Sequence, residues 1–550
     1  MTATTTSPRR QNAPLDERSS NLAGTAILVR FMLRRDRVKL PAWTGGLGLF
    51  VVYLVAALPS IAETEGDLAA TTQLFADPVG RLLIGPGYGF DAPTYARFVA
   101  NGYGLYFLIL SALMSILLVV RHTRVEEQTG RAELVRANVV GPRAPLTAAL
   151  IVAVITNLVA TGVVFAAMVG VGGFAAGGSL LFAVGIGVLG LAFAGLTTIT
   201  VQLSEYSRAA AGMAGAALGA AFLLRAGGDM AREGGTLLSW LSPLGWVQQS
   251  APFVLDRWWP LTLALAFAVV TGAAGYTLST RRDLGASRFT VRAGSTTASA
   301  ALGTPLGLAL RLQRASTIGW GAALVVTGLA YGAYADALLV AVDDMPDVFL
   351  ELFGAEDLLA GYLGYMAVFM ALLASAYAVM AVGSLRSEEA DGRAEPVLAT
   401  PVSRWTWLGA NLAVTAGGVV VIMVLAGVAT GLGAAMVTGD WQHVRELVLA
   451  HLNQVPAVLV VLGLAAALFG VLPRAVPATW ALVGFSFFVG NFGAMLDLPQ
   501  AVHNLSPFEH PAGIPLETFA ALPVILLTVT ALAAVAAGLV AFRRRDVQAS

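Results

Sequence analysis

The stretch Arg124-Val-Glu-Glu-Gln-Thr-Gly-Arg-Ala-Glu133 recurs 262 residues later as Arg386-Ser-Glu-Glu-Ala-Asp-Gly-Arg-Ala-Glu395. Extended to Asn138 and Thr400, the two copies share 9 of 15 positions. Other landmarks repeat in the same order. Gly102-Tyr103 matches Gly364-Tyr365, and Leu241-Ser-Pro243 matches Leu505-Ser-Pro507. Arg34, Arg37 and Trp43 correspond to Arg311, Arg314 and Trp320 near the two beginnings. The halves end alike in Arg281-Arg-Asp-Leu-Gly-Ala-Ser287 and Arg544-Arg-Asp-Val-Gln-Ala-Ser550. Matched landmarks in one order mark an internal duplication.

Long apolar runs separate these landmarks. The 550 residues are 57% hydrophobic and 12% charged, where a soluble domain carries about 25% charged residues. About 20 consecutive apolar residues cross the hydrocarbon core as a helix. Spans are expected near 41–61, 99–120, 146–170, 179–203, 208–226 and 258–279. A second set is expected near 317–340, 360–384, 406–436, 450–472, 475–496 and 519–541. The fold expected is an all-α polytopic membrane protein of 12 transmembrane helices in two six-helix repeats. Basic residues set the orientation. With the N-terminus inside, cytoplasmic segments hold 27 of the 33 basic residues. Both termini are then cytoplasmic. Six spans per half is an even number, so the pseudo-symmetric repeats are parallel. The expected division is a disordered polar tail 1–22, a first transmembrane half 23–283, a cytoplasmic linker 284–304 and a second half 305–550.

Composition excludes several chemistries. There is no Cys, which rules out disulfides, thiolate catalysis and Cys-ligated metals. Net charge is zero and points to no nucleic-acid partner. The five His residues, at 122, 443, 451, 503 and 510, show no ligand spacing, so no metal site and no catalytic residues are expected. Lys39 is the only lysine and sits between Val38 and Leu40. A phosphate-binding G-x-x-x-x-G-K-[ST] loop needs a lysine after glycine, so the chain carries no nucleotide-binding motif and is not expected to be an enzyme. The outer segment 62–98 shows short helical patterns at Ala69–Phe75 and Pro78–Ile84, then a turn at Gly85-Pro86-Gly87. It is expected to fold back on the membrane surface as a lid.

The repeated segment lies between the second and third spans of each half. On a continuous helix, Glu127 would pair with Arg131, and Glu389 with Arg393, at a spacing of four. Glu126, Glu133, Glu388 and Glu395 would then face outward. A charged loop that merely fixes topology explains the Arg residues but not the matched acids and glycines, which fit docking to a partner better.

The pattern Arg-x-Glu-Glu-x-x-Gly-Arg-Ala-Glu after the second span precedes Pro142-Arg143 in one half and Pro401-Val-Ser-Arg404 in the other. It resembles permeases of the type-2 ABC exporter family, above all the fused twelve-span actinobacterial forms described as polyketide-antibiotic or tetronasin exporters. The resemblance covers nearly the whole chain. It implies a type V exporter-like fold in a bacterial cell membrane. It also implies that the segments are coupling helices, with Arg124, Glu126, Glu127, Gly130, Arg131 and Glu133 in one and Arg386, Glu388, Glu389, Gly392, Arg393 and Glu395 in the other. ATP and Mg would be bound by two copies of a separate ATPase subunit, one under each segment. The family further implies an amphipathic connecting helix before each first span. Ile27 to Lys39 fits this, as does the shorter Leu306 to Arg314, and interfacial anchoring by snorkelling Arg is compatible with it.

Parallel halves place a substrate path on the interface between them, and the family lines it with second and fifth spans. Those spans carry Tyr103, Tyr106, Phe107, Met114, Tyr365, Met366, Phe369, Met370, Phe488, Asn491 and Phe492. Aromatic and Met side chains make an adaptable surface for bulky lipophilic compounds, antibiotics or lipids among them, although helix packing explains any one of them. Asn157, Asn411 and Asn491 need partners at membrane depth. Two other readings compete. A proton-coupled twelve-span carrier requires an intramembrane acid, which is not evident here. A membrane-resident immunity or assembly factor requires no feature that the sequence lacks.

Overall fold

The computed structural model describes residues 21–62, 65–76, 78–137, 140–280, 296–335, 357–493 and 498–546. The tail up to residue 20, the linker residues 284–295 and the acidic stretch Asp336 to Glu356 lie outside the described residues. Every regular element among those described is helical. The chain divides into two compact units, Met1–Arg292 and Ala293–Ser550.

In the first unit α1 (Thr25–Arg35) leads into α2 (Lys39–Ile61). Two short helices follow, α3 (Glu65–Ala76) and α4 (Pro78–Ile84). The second span is α5 (Gly104–His122), followed by the short pieces α6 (Arg124–Gln128) and α7 (Arg131–Arg136). Next come α8 (Ala144–Gly170), α9 (Ala176–Leu203), α10 (Ser207–Ala231), α11 (Pro243–Gln248) and α12 (Trp259–Ser279). The second unit repeats this order with α13 (Pro305–Ala333), α14 (Leu358–Ala390), α15 (Ala394–Leu398), α16 (Arg404–Thr438), α17 (Gln442–Val471), α18 (Thr479–Phe492), α19 (Gln500–His503) and α20 (Ala521–Arg544).

Side-chain caps fix several starts. Thr304, before Pro305, accepts the Gly307 N–H at 3.1 Å, and Ser403 accepts that of Thr406 at 3.1 Å. Each satisfies a donor that the first helical turn leaves open. The matched Ser-Pro pairs also cap: Ser242 accepts from Gly245 and Ser506 from Phe508.

The two units have the same internal neighbours. In the first, α9 packs on α5, α8 and α12, and α2 packs on α8. In the second, α17 packs on α14, α16 and α20, and α13 packs on α16. With no hydrophobic drive between helices in lipid, close packing needs small residues. A Cβ on Gly470 of α17 would lie 2.2 Å from the carbonyl of Gly538 on α20.

Eleven of the described helices are long and apolar enough to cross a bilayer, not the twelve expected. The exception falls near 475–496. There Pro473 and Pro477 sit in a 3-10 turn, Pro473–Ala478, and the α-helix Thr479–Phe492 has only 14 residues. Proline lacks the N–H that a continuous helix would use, so α18 starts late. At 1.5 Å per residue it reaches about 21 Å.

Candidate functional site

The repeated segments fold alike around glycine. Gly130 has φ +72° and Gly392 φ +70°, and a Cβ on either would meet nothing within 4 Å. Their glycines therefore serve the left-handed turn, a conformation that costs other residues roughly 1–2 kcal/mol, and not close packing. Each N–H closes the preceding turn, Gly130 to the Glu127 carbonyl at 3.1 Å and Gly392 to that of Glu389 at 3.0 Å. The helix stops there and a new one begins beyond.

This break overturns the expected pairing. A spacing of four faces one side only on an unbroken helix. Instead Arg131 Nε reaches Glu126 Oε2 at 3.1 Å, and Arg393 Nε reaches Glu388 Oε2 at 2.9 Å. Both pairs span the glycine turn at a spacing of five. Arg393 also meets Asp391 at 2.8 Å, and the Glu388 carboxylate beside it holds its guanidinium above the ordinary arginine value. Glu126 and Glu388 are therefore not free to face outward. Glu133 and Glu395 are exposed, each in the first turn of the next helix, where the helix dipole favours a carboxylate.

Deeper anchors differ between the units. Arg124 is almost completely buried. Its Nε donates to the Val201 carbonyl at 3.0 Å and its Nη1 to Glu127 Oε2 at 2.6 Å. Its counterpart Arg386 is half-buried near the end of α14. Glu389 instead receives both Nη atoms of Arg545, at 2.5 and 2.6 Å. That guanidinium lies over the rings of Phe469 and Phe542, at 5.3 and 5.0 Å.

Sequence reasoning missed a second layer in the first unit. Asp36, which follows α1, is 2% exposed. Its carboxylate lies 2.8 Å from Arg121 Nη2 and 2.8 Å from His122 Nε2, the last two residues of α5. One residue earlier, Arg35 Nη1 meets Glu126 Oε1 at 2.5 Å. The signal available was a single acid inside the basic run Arg34-Arg-Asp-Arg37. Together these contacts tie α1 to the joint between the second span and the glycine-turn segment that follows it.

The aromatic and Met positions separate by burial. Phe107 is fully buried, stacked on Phe50 at 4.7 Å and edge-on to Phe182 at 5.5 Å. Met114, Met366 and Met370 are buried as well. Tyr103 is half-buried, with its ring 6.0 Å from that of the exposed Tyr106. In the second unit the Tyr365 hydroxyl donates to Asn491 Oδ1, joining the second span to α18. Asn491 in turn donates to the Phe487 carbonyl at 2.7 Å. Phe369 is half-buried, Phe488 is exposed, and the Phe492 side chain lies outside the described residues. Asn157 donates to Ser115 Oγ and the Ala153 carbonyl. Asn411 donates to the Trp407 carbonyl and accepts from Gln313. Both amides are thus spent on helix packing.

The segment carrying α3 and α4 is tied down by partly buried polar contacts. Arg81 Nε donates to the Asp229 carbonyl at 3.1 Å, and Gln248 Nε2 donates to that of Ile84 at 2.7 Å. Arg225 and Asp229, one turn apart on α10, pair at 3.5 Å with neither side chain exposed. The Tyr88 hydroxyl meets Gln249 Oε1 at 2.6 Å, and burial pushes its pKa up. Among the described residues no cluster of His, Cys, Asp and Glu is arranged to hold a metal.

Two comparisons with known proteins bear on this arrangement. The family model described as the C-terminal domain of the multidrug efflux system permease Rv1217c matches residues 302–543. Over 548 residues, 98% of each chain, the sequence is 36% identical to the multidrug efflux system permease protein Rv1217c of Mycobacterium tuberculosis.

Proposed function

This chain belongs to the family of multidrug efflux system permeases, and from that premise we propose that it exports lipophilic compounds using ATP hydrolysed by separate subunits. It is a multi-pass membrane permease and a transport subunit. The duplicated acid-Gly-Arg turn carries the ATP-driven reading. Two units present the same broken helix, the same ion pair across glycine and the same exposed acid beyond it. A loop that only set topology would need none of this. In this reading the turns dock two copies of an ATPase, which bind ATP and Mg. The absence of a phosphate-binding lysine, with Lys39 flanked by Val38 and Leu40, is consistent with this division.

The same reading places both termini and both turns in the cytoplasm. It treats α18 with its flanking residues as the twelfth crossing, and 23–283 and 305–550 as parallel halves joined by 284–304. The path then runs along second and fifth spans, with Tyr103, Tyr106, Tyr365, Phe369, Phe488 and Asn491 as the side chains that remain accessible or polar. Phe107, Met114, Met366 and Met370 are left to the cores. Bulky lipophilic substrates fit this aromatic surface.

Glu133 and Glu395 are the acids best placed to meet a partner, because the other matched acids are held by arginines of this chain. The double charge reversal Glu133→Arg plus Glu395→Arg is expected to abolish permease-dependent ATPase activity after co-expression with the cognate ATPase. Exposed substitutions usually change stability by no more than about 0.5 kcal/mol, so the permease itself should melt as wild type. Efflux that survives loss of the ATPase but collapses with a protonophore overturns the reading in favour of a proton-coupled carrier.

A further inference from the structure

We propose that a cleft at one end of the first unit binds an amphiphile through an oxyanion head, a carboxylate or phosphate, held by Arg97. The cleft has a volume of about 580 Å³. Pro93, Ala96, Ala175 and Phe253 give it an apolar wall, and its polar groups are Thr94 and Arg97. The segments that lead into α5, α9 and α12 meet there, at the opposite end of α5 from the glycine turn.

Arg97 selects the head. It is half-buried and is the one charged residue on the wall among the described residues. Its Nε donates to the Phe253 carbonyl at 3.0 Å and its Nη1 to the Ala92 carbonyl at 2.6 Å. Its Nη2 has no partner among the described residues, and none of their carboxylates pairs with the guanidinium. Backbone carbonyls orient that charge but do not neutralise it, whereas an oxyanion does so through a charge-assisted bond. An ammonium head would meet a like charge and no acid on the wall. Asp91 and Asp256 neighbour lining residues in sequence but are not part of the wall, and Asp256 Oδ1 accepts the Phe253 N–H at 2.9 Å. Thr94 Oγ1 accepts the Arg97 N–H at 3.3 Å, which leaves its own hydrogen as a second donor.

Phe253 supplies surface for an apolar tail, and the backbone around it is unusual. Its φ is +62°, and Ala251 and Asp256 have φ +44° and +46°, a region that residues with a Cβ rarely adopt. Its ring lies where a Cβ on Gly178 would be, 2.3 Å away, and edge-on to Phe174 at 6.3 Å. Arg97 is followed at once by a π-helical turn, Phe98–Gly102, a rare form found often at functional sites. Backbone held in such conformations by surrounding bonds clusters at ligand sites. Here the loop and the turn bring one ring and one guanidinium to the same cleft.

This binding does not depend on the ATP-driven reading, so the test uses the full chain alone in phosphatidylcholine nanodiscs. Hydrogen–deuterium exchange is followed in peptides covering 91–104 and 250–257 with octyl phosphate, octyltrimethylammonium or inorganic phosphate. At twice its Kd, octyl phosphate is expected to slow exchange there about threefold, leaving 386–398 unchanged. The octyl cation and inorganic phosphate at the same concentration are expected to give no protection. Ala92 is exposed and lines the cleft. Ala92→Glu places a competing carboxylate beside Arg97 and should abolish the protection, whereas the similarly sized Ala92→Gln should keep it. Equal protection by the octyl cation or by inorganic phosphate overturns the proposal. So does no protection by octyl phosphate in the wild type, protection retained in Ala92→Glu, or equal loss in Ala92→Glu and Ala92→Gln. The comparison of three probes on the wild type stands even if a variant fails to fold.

Discussion

Two adjacent residues tie α1 to the second span, and their burial predicts very different worth. The Asp36 side chain is 3% exposed and lies between His122, 1% exposed, and Arg121, 29% exposed. Removing Asp36 takes the carboxylate from the buried His122 ring and leaves Arg121 to partial solvent, at a cost of roughly 1–3 kcal/mol. Asp36→Ala should therefore lower the thermal midpoint of the purified permease strongly, with Asp36→Asn intermediate. The Arg35–Glu126 pair is shorter, at 2.5 Å, but its side chains are 23% and 17% exposed. Partly exposed pairs are worth about 1 kcal/mol or less, and Arg131 remains on Glu126 in its absence. Arg35→Ala should thus barely move the midpoint, and equal losses in Arg35→Ala and Asp36→Ala would refute this ranking. The pattern of Ile27 to Lys39 fits the amphipathic connecting helix that the family resemblance implies, with interfacial anchoring by snorkelling Arg compatible with it. It could not give Asp36 a role, because the groups that need it lie at the end of a different helix and only the fold brings them together.

At the scale of the element, the glycine turns decide how each repeated charge is used. Gly130 and Gly392 were legible as landmarks, yet the pairing expected around them assumed an unbroken helix. The left-handed φ values end that helix and move the ion pairs from a spacing of four to five. Nothing packs against either glycine, so Gly130→Ala and Gly392→Ala test conformation in isolation. Each should cost roughly 1–2 kcal/mol locally, read as faster amide exchange across 124–136 or 386–398 with the spans unchanged. If exchange in these segments is unaltered, the turn is not the constraint. The same blindness to local backbone explains α18. Its apolar content was readable, whereas the delay imposed by Pro473 and Pro477 required seeing where the α-helix begins. The short helices Glu65–Ala76 and Pro78–Ile84 were legible as pattern. Their attachment through Arg81, Arg225 and Gln248 was not, since those bonds go to backbone carbonyls distant in sequence.

For the whole molecule, the duplication makes a prediction that separates parallel from inverted repeats. Both units carry the same neighbour pattern around their fourth spans. That pattern alone does not fix direction, because an inverted repeat preserves neighbours too. Direction follows from counting crossings between the matched turns and from the arginine bias. If the six candidate spans between the turns, α8, α9, α10, α12, α13 and α14, all cross the bilayer, the two turns share a side whatever α18 does, because α18 follows both. If α18 with its flanking residues crosses as well, the end of α20 returns to the side of the turns, and if it does not, that end lies on the opposite face. The chain contains no cysteine, so single substitutions report sidedness without a background. Thr129→Cys and Ala399→Cys, both at exposed positions of the turns, should resist a membrane-impermeant maleimide added to intact cells and label after permeabilisation. Leu237→Cys and Trp441→Cys, at exposed positions between later spans, should label in intact cells. Labelling of Arg544→Cys, at an exposed position at the end of α20, in intact cells would remove the crossing by α18. Labelling of Thr129→Cys and Ala399→Cys from opposite sides would remove the parallel repeat. It would also remove the arrangement that the proposed docking of two ATPase subunits requires.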